Sequence, residues 1–185
     1  TSKTLNKERA EKNALPPTAL KCYSTPFGQH PAFAEVVDKA FHDVKVGSHS
    51  FGPSWSSHWL QVDFEYPLDW ERDDVRIVLR INTNSEALVF NVDGQVVEGM
   101  NGGDSSDRRC DVQLFPRREV LKLVECNIGE GEASEDRKGV KGKLWIEVSC
   151  NGMFGVGKEG LINPPDPTRT FALSEACVVQ LDTLL

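Results

Sequence analysis

The sequence predicts an all-β domain: an antiparallel β-sandwich of the jelly-roll or galactose-binding-like kind, with one amphipathic helix near its N-terminus. Three observations carry that expectation. Apolar and polar residues alternate through seven or eight short stretches, the two-residue period of strands with one face buried. Turn residues separate these stretches without a strand–helix–strand rhythm, which points to antiparallel sheets with a wet side. The chain has 185 residues, 39% hydrophobic and 26% charged, close to one domain and enough to bury a core without disulfide or metal staples. A barrel is the second choice.

Residues 1–21 read as a charged arm and linker, with the sandwich over 22–185. KTLNKERAEKN at 3–13 is almost wholly polar, and Pro16-Pro17 ends any helix there. His30-Pro31 then opens a helical pattern. Phe33, Val36, Val37, Ala40 and Phe41 form one apolar stripe, expected to lie on a sheet. The strands begin at Leu60-Val62-Phe64-Tyr66 and continue at Val75-Ile77-Leu79-Ile81 and Leu88-Phe90-Val92. Asp93-Gly94 is a hairpin turn signal, with the return at Gln95–Val97. Val112-Leu114, Leu144-Ile146-Val148 and Leu173–Leu181 supply the later strands, and 119–125 is ambiguous between strand and helix. Residues 99–109 read as loop, and 129–143 (GEGEASEDRKGVKGK) as a mobile polar loop too poor in apolar groups to order itself.

Composition removes several function classes. The net charge of −7 argues against nucleic acid, whose binding needs a basic face. No apolar run is long enough to span a membrane as a helix. Five cysteines with no CxxC pair, and no Asn-x-Ser/Thr acceptor, point to a reducing compartment and a cytoplasmic location. No signal-peptide pattern opens the chain and its first residue is Thr1, so it reads as a piece of a longer polypeptide.

The chemical motifs are mostly decoys. Gly152–Lys158 has Walker A spacing, but Glu159 stands where a magnesium-binding hydroxyl belongs, and Gly160 with Pro164-Pro165 replaces the required helix. His30, His42, His49 and His58 form no HxxxH or HExxH pattern, and Ser54, Ser56 and Ser57 form no GxSxG elbow. Asp63, Glu65, Asp69, Glu71, Asp73 and Asp74 offer no identifiable acid–base pair. No catalytic or metal-ligating residue is therefore assigned, and no cofactor. Trp55, Trp59 and Trp70 are a candidate sugar-stacking platform, with core or interface anchoring as the competing reading.

Longer blocks are more specific. SFGPSWSSHW at 50–59 and the following strand with Pro67-x-x-Trp70 resemble the N-terminal domain of cytosolic and vacuolar α-mannosidases, in glycoside hydrolase family 38. So do SEALVF at 85–90 with DGQVVEG at 93–99, LWIEVSCNGMFGVG at 144–157, INPPDP at 162–167 and Phe171-x-Leu-Ser-x-Ala176. The resemblance implies a parent enzyme that hydrolyses α-mannosides from free oligosaccharides with zinc or a related divalent ion, cytoplasmic or delivered to the vacuole. The family's metal ligands and aspartate nucleophile belong to a catalytic domain that would follow Leu185, so none is carried onto this chain. It implies for this chain a docking role, with the catalytic domain of the same polypeptide and a homo-oligomer of the parent as partners. The contact candidates are Asn151, Phe154, Ile162 and Asp166, in a glycine- and proline-punctuated loop over 151–167, and Arg169 just beyond it. A free-standing lectin-like module and a receptor-recognised domain are the alternatives.

Overall fold

Strands dominate the computed structural model, which describes residues 11–103, 108–128, 138–151, 155–156, 162–163 and 166–182. In chain order they are β1 (Glu11–Leu15), β2 (Ala19–Ser24), β3 (His42–Asp43), β4 (Ser50–Phe51), β5 (Ser57–Pro67), β6 (Val75–Asn82), β7 (Glu86–Phe90) and β8 (Val96–Asn101). There follow β9 (Asp111–Phe115), β10 (Val124–Asn127), β11 (Lys138–Ser149), β12 (Gly155–Val156), β13 (Ile162–Asn163), β14 (Phe171–Ala172) and β15 (Glu175–Asp182). A seven-stranded sheet runs β3-β2-β5-β11-β7-β8, with β10 sharing one edge of β11 with β7. A four-stranded sheet runs β1-β15-β6-β9. Every pairing is antiparallel.

Alternation decides what each sheet buries. Leu60, Val62, Phe64 and Tyr66 of β5 share one cluster with Leu144, Ile146 and Val148 of β11 and Ile77, Leu79 and Ile81 of β6. Val112 and Leu114 of β9 and Val178 of β15 belong to it as well. This is the layer between the two sheets, and the fold is the predicted sandwich. The opposite residues of the seven-stranded sheet build a second cluster on its outer face: Trp59, Phe90 and Trp145, covered by Phe33, Val36, Val37 and Phe41.

That cover corrects the helix expected over 31–41. Only Phe33–Val36 is helical (α1), its first turn closed by Glu35, whose carboxylate accepts the Ala32 N–H at 2.8 Å. The stripe residues still face the sheet, except Ala40, which is exposed. After that turn the chain bends over 37–39, with the Lys39 N–H donating to the Val36 carbonyl at 2.9 Å, and Phe41 packs against both Trp145 (5.1 Å) and Tyr23 (5.7 Å). Gly94 of the Asp93-Gly94 turn lies beneath it: its φ is +77°, and a Cβ there would stand 2.5 Å from the Phe33 ring.

Two further expectations are revised. Residues 11–21 are not an arm. β1 pairs β15 and β2 pairs β5, and the Pro16-Pro17 segment carries the chain from one sheet to the other. Edge pairing rests on main-chain hydrogen bonds, so β1 forms with few apolar side chains. In the polar stretch 129–143, residues 129–137 lie outside the described residues, but Lys138–Lys143 is the first half of β11, paired with β5 on one side and with β10 over Lys138–Lys141 on the other. Its glycines are required there. A Cβ on Gly139 would stand 2.5 Å from Ile128, and one on Gly142 2.6 Å from both Leu123 and Phe64. The ambiguous 119–125 resolves into a 3-10 turn at Glu119–Leu121 followed by β10. Of 99–109, residues 99–101 extend β8, and Asn101 is bridged to Arg109.

Candidate functional site

The segment 50–59 is an anchored loop at the end of the sandwich where β5 begins. Ser50-Phe51 pairs with Phe171-Ala172, and Phe51 is buried. The serines that follow bond to main chain: Ser54 Oγ donates to the Asp166 carbonyl at 2.7 Å and Ser56 Oγ to that of Pro53 at 2.6 Å. Behind the loop, His58 Nε2 accepts the Gly52 N–H at 3.0 Å, and Nδ1 lies 2.9 Å from Ser24 Oγ. An amide N–H can only donate, so Nε2 is bare and the proton sits on Nδ1. Burial, with His49 nearby, holds this imidazole down to about 4.

Trp55 stands at the tip. Its N–H is bonded to the Cys150 carbonyl at 2.7 Å, its φ is +71°, and it is 46% exposed. A bulky residue in the left-handed region is strained by roughly 1 kcal/mol or more. A second exposed aromatic shares this end. Phe27 (68% exposed) sits in a turn closed by the Gln29 N–H to Pro26 carbonyl bond, with Gly28 at φ +78°, the signature of a type II turn. The turn is tied to β5 through Thr25 Oγ1, which donates to the Ser57 carbonyl at 2.7 Å.

The contact candidates divide. Asn151 follows β11 and donates through Nδ2 to Glu86 Oε2. Asp166 is exposed, its carboxylate held below the usual range by the Thr168 hydroxyl and N–H. The Arg169 guanidinium lies 4.6 Å from the Phe171 ring centre, and its carbonyl abuts Gly52. Trp55, Asn151, Asp166 and Arg169 thus gather at one end. Ile162 belongs to β13, paired in register with Val156 of β12, so the chain returns as an antiparallel strand where a phosphate loop would lead into a helix. Phe154 lies outside the described residues.

The three tryptophans do not form one platform. Trp59 is 1% exposed, inside the outer-face cluster with its ring 5.2 Å from Phe90. Trp70 closes a half-buried 3-10 turn beyond the far end of β5. Ten strand steps separate the two ends, roughly 33 Å. One side-chain constellation has hydrolase composition: Ser57 Oγ lies 2.7 Å from His30 Nδ1, and His30 acts electrostatically on Glu147. Ser57 is only 1% exposed, so its hydroxyl meets no substrate. Among the described residues, no three of His, Cys, Asp or Glu gather closely enough to hold a metal ion.

Sequence reading missed Phe27. Its only signal was the Pro-Phe-Gly triplet, which marks a turn but not which way the ring faces.

Fold and site together define a jelly-roll β-sandwich module that presents exposed aromatics from rigid turns at one end. The chain belongs to the α-mannosidase jelly roll domain family, whose match spans residues 16–179. It is 37% identical over 158 residues to α-mannosidase G of Dictyostelium discoideum, covering 85% of this chain and 12% of that protein. It is 30% identical over 163 residues to human α-mannosidase 2C1, covering 88% and 13%, and 29% identical over 161 residues to a Saccharomyces cerevisiae α-mannosidase, covering 83% and 13%. The chain therefore spans about an eighth of the length of these relatives.

Proposed function

We propose that this chain is the N-terminal accessory domain of a cytoplasmic α-mannosidase and that its Trp55 end docks on the rest of that enzyme. The parent would hydrolyse α-mannosides of free oligosaccharides. The divalent ion for that chemistry has no ligand set among the described residues here and belongs with the catalytic domain. The observation that carries the docking role is Trp55: a large aromatic, exposed, at a backbone conformation that suits glycine better. Strain kept at an exposed anchor is a mark of function rather than of folding. Phe27, Asn151, Asp166 and Arg169 supply a second anchor and a polar rim, the composition of an interface patch. β15 ends at Asp182, in register with Val75, at the Trp70 end. The surface that meets Trp55 is then either a part of the catalytic domain that extends along the sandwich or a second subunit.

Trp55→Gly separates docking from folding. In the chain alone it is expected to leave unfolding free energy unchanged or raised by about 1 kcal/mol, because glycine relieves the positive φ. In the full-length enzyme it is expected to weaken association by about 2 kcal/mol, the scale of an interface hot spot. Chemical denaturation of the chain, with oligomer mass and turnover of an aryl α-mannoside by the full-length enzyme, reads both. A variant that destabilises the chain yet leaves the full-length enzyme's assembly and turnover intact would count against docking.

A further inference from the structure

We propose that His58 is an acid-operated latch: a proton on Nε2 removes the acceptor of the Gly52 N–H and loosens the Gly52–Ser56 loop that presents Trp55. The geometry allows the imidazole one neutral arrangement. Nε2 faces the Gly52 N–H at 3.0 Å, and Nδ1–H donates to Ser24 Oγ at 2.9 Å. Protonation would set N–H against N–H at Gly52. Ser56 Oγ, 2.9 Å from Nε2 and already donating to Pro53, is the group among the described residues placed to accept the new proton, so the ring keeps Ser56 and releases Gly52.

Among the described residues, a neighbouring element brings the Asp166 carboxylate towards this end, where Thr168 holds it. From the stretch before β5 comes His49, whose ring lies 4.9 Å from Phe51, itself 5.5 Å from His58. His42 stands beyond, 6.2 Å from His49. From β2 comes the Cys22 thiol and from the end of β11 the Cys150 thiol, both held protonated by burial. The 166–171 segment brings Arg169, which is cationic, and Asp166, whose carboxylate is bonded to Thr168. A charge on His58 therefore meets His49, which opposes it. The sign follows. The folded ring titrates near 4 and the unfolded one near 6.5, so the latch's contribution to stability is complete above about pH 6.5. Its stabilisation declines as pH falls below that value, and the folded loop opens as pH passes through about 4. This holds whatever surface the Trp55 end meets.

The test is amide and histidine-ring NMR on the 185-residue chain between pH 7 and pH 3.5. The expected result is that the Gly52 and Trp55 amides shift together with the His58 ring signal, with a midpoint near 4, while Ile146 at the centre of β11 does not move. In His58→Gln the side-chain carbonyl keeps an acceptor for Gly52, and the movement at Gly52 is expected to vanish. Three results would overturn the latch: a Gly52 amide that stays flat while His58 titrates, an unchanged Gly52 transition in His58→Gln, or simultaneous loss of all amides with no earlier movement at Gly52. If His58→Gln does not fold, co-titration of ring and amide in the unsubstituted chain decides alone.

Discussion

Trp59→Ala is expected to lower the unfolding free energy by roughly 3–5 kcal/mol, the range for removing a buried large aromatic. The ring contacts Phe33 at 6.2 Å and Phe90 at 5.2 Å between centres, and it fills the space between the seven-stranded sheet and the cover of Phe33, Val36, Val37 and Phe41. Its indole Nε1 is buried with no hydrogen-bond partner among the described residues. Trp59→Phe, which keeps one aromatic ring and removes that unpaired donor, is expected to cost less than about 3 kcal/mol, the lower end for losing the whole side chain. Urea unfolding of the three chains side by side checks both values. Were Trp59 a sugar-stacking surface residue, the alanine variant would stay within about 0.5 kcal/mol of the parent chain.

Gly52→Ala is the second large effect. Gly52 has φ +138°, a region essentially reserved for glycine, and a Cβ there would stand 3.0 Å from the Arg169 carbonyl and 3.2 Å from Thr170 Cα, both main-chain atoms. Neither can move without disturbing the pairing of β14 with β4. A loss of about 2–3 kcal/mol is expected, from backbone strain with a steric clash added. Gly47→Ala is the control: φ is +78°, with nothing within 4 Å of the added carbon, so only the left-handed penalty of about 1 kcal/mol remains. Equal costs at the two sites, read by denaturation midpoints, would show that the packing of Arg169 and Thr170 against Gly52 contributes nothing.

The central strands were legible because the residues facing the layer between the sheets recur at every second position. Leu60 to Tyr66, Val75 to Ile81 and Leu144 to Val148 carry the two-residue period in their side chains. What escaped reading was held by main chain rather than side chain. β1 and the Lys138–Lys143 half of β11 are strands because their amides pair, with glycine or polar side chains at most positions. The covering segment had the apolar spacing of a helix, but its rings serve a twisted sheet. An outer face bearing Trp59, Phe90 and Trp145 is met by one helical turn followed by a turn and bend over 37–39 instead of three helical turns.

The site was legible in kind but not in membership. The conspicuous block at 50–59 marks the right end of the molecule. Yet its residues divide between an exposed Trp55 and a buried Trp59, four positions apart, and only the backbone turn at Trp55 decides which is which. Phe27 reaches the same end through the Thr25–Ser57 bond, a contact across 32 positions that no local pattern announces.

The central claim, that the Trp55 end is covered in the assembled enzyme, is met most directly by oxidative footprinting of the tryptophans read by mass spectrometry. The isolated chain and the full-length protein carrying it would be labelled under the same conditions. The account predicts that Trp55 reacts readily in the chain and is protected several-fold in the full-length enzyme, while Trp59 is protected in both. Equal labelling of Trp55 in the two would contradict it.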